Sequence, residues 1–310
     1  LFSPASMVVT HGSLQPTSGR CALTIGNFDG VHRGHRALVE RVIAAARHDR
    51  LQAAVLTFEP HPREFFAPDA APPRLTRLRD KLELLADIGV ERVHVARFNK
   101  SFASLSAARF IDEVLVRGLG VRRLIVGRDF RFGAKRAGDF AMLADAAGRH
   151  GFALEAMPDV LFDGERVSSS AVRAALQAGD LRRAERLLGH PYAISGKVAH
   201  GEKLGRELGF PTANIRLGRA SPLAGIFAVE VEGMGPAVAS VGRRPTVNPL
   251  ARPLLEVHLF DWDGELYGRR VKVRFLEKLR DEEKYDGLEA LKSAIAHDAR
   301  RAREYFARHG

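Results

Sequence analysis

Residues 21–60, CALTIGNFDGVHRGHRALVERVIAAARHDRLQAAVLTFEP, change texture along their length. Cys21–Gly26 is a short apolar run bounded by a glycine-containing turn. Ala37, Leu38, Val39, Val42 and Ile43 then recur at helical spacing, and Ala53–Phe58 is again a continuous apolar run. A strand, a helix and a second strand in that order form the repeating unit of a parallel sheet.

The same alternation continues outward. Leu78, Leu82, Leu85 and Ile88 keep helix spacing, and Val93–Ala96 reads as extended. Ser106 is placed to cap a helix through Arg117, ahead of a strand over Arg123–Gly127. Asp139–Arg149 reads as a helix and Ala153–Met157 as a strand. These elements predict an α/β, Rossmann-like domain of the nucleotide-binding type, its parallel sheet covered on both faces. After about Leu188 the helical periods stop. Short runs at Tyr192–Val198, Ile226–Val231, Ala237–Val241, Leu254–Phe260 and Val271–Phe275 are separated by Gly, Pro and Asp turns, and Asp286–Ala307 reads as one closing helix. That pattern predicts a small antiparallel β-barrel with a C-terminal helix. With 310 residues, two domains are expected. Their ranges are 21–187 and 188–310, the boundary falling near residues 177–190, and residues 1–20 are expected to be a disordered lead.

Composition narrows the function classes. The chain carries 48 Lys and Arg against 37 Asp and Glu, a net charge of +11, but only nine of the basic residues are lysines and no dense basic run exists. A nucleic-acid-binding arm clusters its charge, so no nucleic-acid partner is expected. An Arg- and Ala-rich composition or the handling of anionic small molecules accounts for the balance. The single cysteine, Cys21, permits no intramolecular disulfide and suits the cytoplasm. No apolar run is long enough for a membrane span, and the first residues lack a basic leader.

Four constellations carry chemistry. Gly26, Asn27, Phe28, Asp29, Gly30, His32 and His35 lie between the first strand and the first helix. Ligands of open parallel sheets bind beyond the carboxyl ends of strands, where helix N-termini present free N–H groups. Two histidines three residues apart can donate to phosphate oxygens there. They can equally cap the helix, or bind zinc with Asp29. Ser168, Ser169, Ser170 and Arg173 open a later helix, as simple caps or as a second phosphate clamp. Phe58-Glu59-Pro60-His61-Pro62 and Gly127-Arg128-Asp129-Phe130-Arg131-Phe132-Gly133 stand at strand ends. In the second half, Gly201, Lys203, Gly205 and Arg206 occupy a glycine-rich loop that runs into Pro211-Thr212-Ala213-Asn214. Thr212 and Asn214 alternate and point one way from an extended strand, offering two oxygens to a hard cation.

The first constellation resembles the histidine signature of the nucleotidyltransferase superfamily, and Ser168–Arg173 its Ser-Ser-Thr-x-x-Arg element, with Ser170 where threonine is commoner. With the strand-end loops added, the chain is similar to the bacterial bifunctional riboflavin kinase/FAD synthetases from about Ala22 to Arg303. The Pro-Thr-Ala-Asn segment closely resembles the riboflavin-kinase module of that family. The resemblance implies that Phe58, His61, Pro62, Asp129 and Phe130 help form flavin and adenine pockets, with Phe132 as a further stacking surface. It also implies that Gly201–Gly209 covers ATP phosphates and that Thr212 and Asn214 hold Mg2+. Glu256, in Leu255-Glu256-Val257-His258, falls where the family bears a catalytic glutamate, although it also fits a surface residue alternating with Val257 and Leu259. Arg280 falls where the family has a flavin-contacting arginine, or caps the last helix. Ser240 stands where the family usually has Asn.

The implied activity is bifunctional. ATP phosphorylates riboflavin to FMN in the C-terminal domain, and FMN is adenylylated to FAD with release of pyrophosphate in the N-terminal one. Mg2+ is the implied cofactor, with riboflavin, FMN and ATP as small-molecule partners and flavoenzymes as the clients of the products. A flavin- or nucleic-acid-binding regulator that keeps the fold without catalysis is the alternative from another class, and a chain with only one active half is a third.

Overall fold

The computed structural model describes residues 7–14, 19–200, 209–218, 220–242 and 253–309. The chain divides into two compact units: Leu1–Pro72 with Leu78–Val167, and Pro73–Arg77 with Ser168–Gly310. Among the described residues no helix is long and apolar enough to cross a membrane.

The first unit runs β1 (Val8–His11), β2 (Cys21–Ile25), α1 (Arg33–Asp49), β3 (Gln52–Glu59), α2 (Pro62–Phe66), α3 (Leu78–Ile88), β4 (Arg92–Arg97), α4 (Lys100–Ala103) and α5 (Ala107–Arg109). The turn at α5, capped by Ser106, runs on as a π-helix over Phe110–Gly118. β5 (Val121–Gly127), α6 (Phe140–His150), β6 (Ala153–Met157) and the hairpin β7 (Leu161–Phe162) and β8 (Glu165–Arg166) complete it. Six strands form one parallel sheet in the order β1-β4-β3-β2-β5-β6. The expected disordered lead needs correction here, because Val8–His11 pairs with β4 as an edge strand. Thr10 and the Gly12 carbonyl are held by the buried His94, at 2.8 and 3.1 Å.

Both faces of the sheet are covered, so alternate residues of one strand serve two cores. Cys21, Leu23 and Ile25 face the π-helix and Leu143 of α6, whereas Ala22 faces Val39, Val42 and Ile43 of α1 and Leu85 of α3. Such double burial explains why the strands read as unbroken apolar runs. From β2 the chain steps to β3 on one side, and later to β5 on the other. The carboxyl ends of β2 and β5 therefore flank the switch point of the sheet. Charged side chains tie α1 to the sheet: Arg41 of α1 grips Glu155 of β6 at 2.6 and 2.7 Å, and Arg123 of β5 reaches Asp49 at 2.6 Å.

The second unit opens with α7 (Ser169–Gln177) and α8 (Leu181–Leu188), followed by β9 (Ala193–Ala199), β10 (Ala213–Arg216), β11 (Gly225–Val231), β12 (Gly235–Gly242), β13 (Leu254–Leu259), β14 (Arg270–Arg280) and α9 (Leu288–His309). The strands close an antiparallel barrel in the order β10-β13-β12-β11-β14-β9. The division between units falls at Val167/Ser168, ahead of the expected 187/188, because α7 packs on α8 and α8 on β14. Five early residues, Pro73–Arg77, also belong here. The Pro73 carbonyl accepts from Arg173 Nε at 2.7 Å, and Arg77 donates to the Arg216 carbonyl at 2.5 Å.

α9 is fastened to the barrel by a bidentate pair. Arg280 Nε and Nη2 meet the two Asp298 oxygens at 2.8 and 2.5 Å, and Asp298 is only 3% exposed. Removing Asp298 takes both carboxylate bonds from Arg280 and leaves it, among the described residues, only the Asp281 carbonyl and Glu283. Asp298→Ala is therefore expected to lower the thermal midpoint of the second unit's unfolding transition in differential scanning calorimetry, while the transition of the first unit stays in place.

Candidate active sites

The loop after β2 bends sharply. Phe28, Gly30 and Val31 have φ of +47°, +87° and +42°. For a bulky and a β-branched residue this is strained backbone, and it persists because both side chains are buried in the α1-side core, Phe28 at 0% and Val31 at 1% exposure. Gly26 is squeezed in turn: a Cβ there would stand 3.1 Å from the Phe28 ring. Phe28, expected among the phosphate-binding residues, thus serves the core with its ring and offers a ligand only backbone. Asp29 is buried as well.

His32 is the N-cap of α1, its Nδ1 accepting the amide N–H of His35 at 3.3 Å. An acceptor Nδ1 places the ring proton on Nε2. The His35 ring stacks on His32, centroids 3.6 Å apart and planes 16° from parallel, with Phe28 at 5.1 Å on the other side. His35 Nδ1 is shut off from solvent and has no hydrogen-bond partner among the described residues. Burial first, then the neighbouring His32 and Lys81, hold the His35 ring well below the usual histidine range, so it is neutral near pH 7. The arrangement is a stacked imidazole pair, His35 neutral, at the positive end of a 17-residue helix, where anions are favoured. Among the described residues no three His, Cys, Asp or Glu side chains are grouped to hold a metal ion, so zinc has no site at this pair.

Around this loop lie features that the sequence reading missed. Lys81 of α3 is 5% exposed and donates to Thr57 Oγ1 at 3.4 Å. It sits among Leu78, Leu82, Leu85 and Ile88, and a lysine within that apolar stripe was the available signal. At the strand ends an aromatic chain runs from Phe65 and Phe66 through Phe98 to Phe58 and Phe102, then by Phe110 to Phe132 and Phe130, each ring centroid 5.4–6.1 Å from the next. Phe58 and Phe130 are half-buried. Phe132, expected as a stacking surface, is 6% exposed and belongs to the core. His61 caps α2, its Nδ1 accepting from the Arg63 amide at 3.1 Å, and Pro62 is the first helical residue. Asp129 is exposed and pairs with Arg166 at 3.4 Å. Ser168 caps α7 by accepting from the Ala171 amide, Ser169 and Ser170 form its first turn, and Arg173 reaches Pro73; all four lie in the second unit.

In the barrel, register gathers residues far apart in sequence. Asn214 of β10 lies opposite Glu256 of β13, Glu256 opposite Ser240 of β12, Ser240 opposite Ile226 of β11, and Ile226 opposite Arg280 of β14. Directly opposed residues share one face, so Asn214, Glu256, Ser240 and Arg280 form a single row. Arg280, expected to contact flavin, holds Asp298 with two of its nitrogens. Burial and the charge of Glu256 push the Glu282 carboxyl above its ordinary range. A cavity of about 490 Å3 lies at the Asn214 end of the row, lined by Thr212, Asn214, Val257, Trp262, Glu265 and Tyr267 among others. Asn214 Nδ2 donates to the Thr212 carbonyl at 3.3 Å, which leaves Oδ1 as its acceptor, and the Thr212 hydroxyl adds a second oxygen. This donor set fits a hard cation such as Mg2+. Gly201, Lys203, Gly205 and Arg206 lie outside the described residues.

A parallel sheet with a histidine-capped loop at its switch point, in one chain with a closed barrel bearing a carboxylate beside a cavity, is the architecture of a transferase. Comparison with known proteins gives two parts: residues 14–171 match the family described as FAD synthetase, and residues 188–306 match riboflavin kinase. The chain belongs to the bifunctional riboflavin kinase/FMN adenylyltransferase family. It is 50% identical over 301 residues to the protein of that name in Escherichia coli (strain K12), covering 96% of each chain. The Bacillus subtilis (strain 168) protein of the same name is 36% identical over 305 residues, again with 96% of each covered. Among solved structures, a Streptococcus pneumoniae protein described as a macrolide-efflux protein aligns with a TM-score of 0.78 at 28% identity, covering 94% of this chain and 97% of that one.

The neutral state of His35 has a measurable consequence. Unfolded histidine takes up a proton below about pH 6.5, whereas the folded ring resists it, so this residue makes the fold less stable as pH falls through that value. His94, whose ring is likewise held low chiefly by burial, acts in the same direction. NMR titration of labelled histidine is expected to give His35 a midpoint below 6.5, and His35→Asn should flatten the loss of stability between pH 7 and 5.

Proposed function

We propose that the two family activities are divided between the units and carried by the residues described above. In the barrel unit, the ribityl hydroxyl of riboflavin attacks the γ-phosphorus of ATP. Glu256 accepts the hydroxyl proton as the new P–O bond forms, and ADP departs. The loop at Gly201, Lys203, Gly205 and Arg206 covers the ATP phosphates, and the cavity bounded by Trp262 and Tyr267 takes the nucleotide. Thr212 and Asn214 hold Mg2+, which neutralises phosphate charge when bound. Arg280 lies in the same row as Glu256 and borders the flavin, its orientation set by Asp298.

In the sheet unit, a phosphate oxygen of FMN attacks the α-phosphorus of ATP, the bond to the bridging oxygen breaks, and pyrophosphate leaves. His32, with its proton on Nε2, and the neutral His35 donate to the phosphates as charge develops. Gly26, Asn27, Asp29 and Gly30 shape the backbone cradle. Ser168, Ser169, Ser170 and Arg173, at the head of α7, are the further phosphate donors that the family resemblance implies. Phe58 and Phe130, with His61, Pro62 and Asp129 beside them, border the flavin. Flavoenzymes that receive FMN and FAD are the natural clients, and the cytoplasm, where ATP is made available and a lone buried thiol stays reduced, is the place of work.

The observation that carries this reading is the stacked His32/His35 pair at the head of α1, with a solvent-excluded nitrogen awaiting a partner. The test is the full chain incubated with riboflavin, ATP and Mg2+, the flavins being separated over time. FMN should appear first and FAD follow. His35→Ala should slow FAD formation by about 10²–10³ and leave FMN formation intact. Glu256→Gln should slow FMN formation while FAD still forms from supplied FMN. Undiminished FAD synthesis by His35→Ala would overturn the assignment.

A further inference from the structure

We propose that Lys81 is a positioning residue for adenylyl transfer, tying the loop after β2 to the sheet through Thr57 and Asn27. This rests on the adenylyltransferase reading of the first unit. The argument begins with the cost of placing a lysine there. Lysine is rarely buried, and Lys81 is 5% exposed within the apolar stripe of α3, beside Leu85 at 0%. An aliphatic residue would pack that face at no electrostatic cost.

Its bonds have a fixed sense. An ammonium only donates, so Thr57 Oγ1 must accept from Nζ, at 3.4 Å. The hydroxyl proton is thereby turned toward the Asn27 carbonyl, also at 3.4 Å. Thr57 is fully buried, which keeps this relay away from bulk solvent. Asn27 immediately precedes the strained Phe28, and a carbonyl held at that point fixes where the reversed backbone starts. The same ammonium acts on His35. The ionisable groups that press on that ring are His32, from its own turn, and Lys81, from α3, both disfavouring a proton on it. Lys81 therefore touches neither phosphate nor flavin in this role. It sets the shape of the loop and the protonation of the histidine that does.

Three variants of the full chain separate these contributions. Lys81→Met removes charge and relay, Lys81→Arg keeps the charge, and Thr57→Val removes the relay alone. FAD formation from FMN and ATP is followed from pH 5 to 9, and the His35 ring is titrated by NMR in each. Lys81→Met is expected to lose about 10²-fold in kcat/KM at pH 8, as for a misplaced reacting group, with its acid limb and the His35 midpoint moved to higher pH. Thr57→Val should lose rate with the acid limb unmoved, and Lys81→Arg should keep the wild-type limb. FMN formation by the barrel unit should be the same in all, showing an intact chain. A wild-type rate in Lys81→Met, or an acid limb and His35 midpoint that stay where they were, would overturn the proposal. If the wild-type chain makes no FAD, the adenylyltransferase reading fails, and the His35 midpoint in Lys81→Met still decides whether Lys81 acts on that ring.

Discussion

Two side chains hold the first site in shape by being buried where their backbone does not want to be. Phe28 and Val31 sit at positive φ, each at a cost of about 1–3 kcal/mol, and neither has the freedom of glycine. Full burial of a phenylalanine and a valine supplies a stabilisation of similar size, about 1.5–3 kcal/mol apiece. Gly30 and the close approach at Gly26 allow the reversal between them. The outcome is a loop whose backbone reversal is fixed because its apolar side chains face in. The α1 helix starts where this reversal ends, so the His32/His35 stack inherits its geometry from the core below.

The barrel solves the same problem by another route. Its polar row is not a loop but a consequence of register, in which five adjacent strands each place one residue at the same level. Rigidity comes from the closed ladder, and α9 adds a lock at the Arg280 end of the row through Asp298. A site built across strands moves little as a unit, and neighbouring positions can vary without shifting it. That explains how Ser240 can stand where the family usually has Asn while its place beside Glu256 is kept.

Much of this was legible in the sequence. Strands buried on both faces announced themselves as apolar runs, and the change of period after Leu188 separated sheet from barrel. The row containing Asn214 and Glu256 was partly readable, since two alternating positions of an extended segment share a face. What was hidden has common physical causes. β1 has four residues and pairs on one side only, with Val8 56% exposed, so it carries little periodic signal. Phe28 and Phe132 lie in ligand-type motifs, yet their rings were taken by the core, a choice that only packing reveals. The Arg280–Asp298 pair joins a strand end to the middle of a helix, and nothing local marks the partnership. Lys81 was visible as an anomaly in a helical stripe, although its meaning depends on Thr57, which comes from another strand.

Pro73–Arg77 gives the molecule a history as well as a shape. During synthesis this segment leaves the ribosome long before Arg173 and Arg216, the residues that its carbonyl and guanidinium will engage. These bonds of the barrel unit therefore form only once its later residues join a segment made well before them. A single cut anywhere after residue 77 would give the second unit without that piece. The two halves read like adjoining cassettes in the sequence, but the thread passes between them three times.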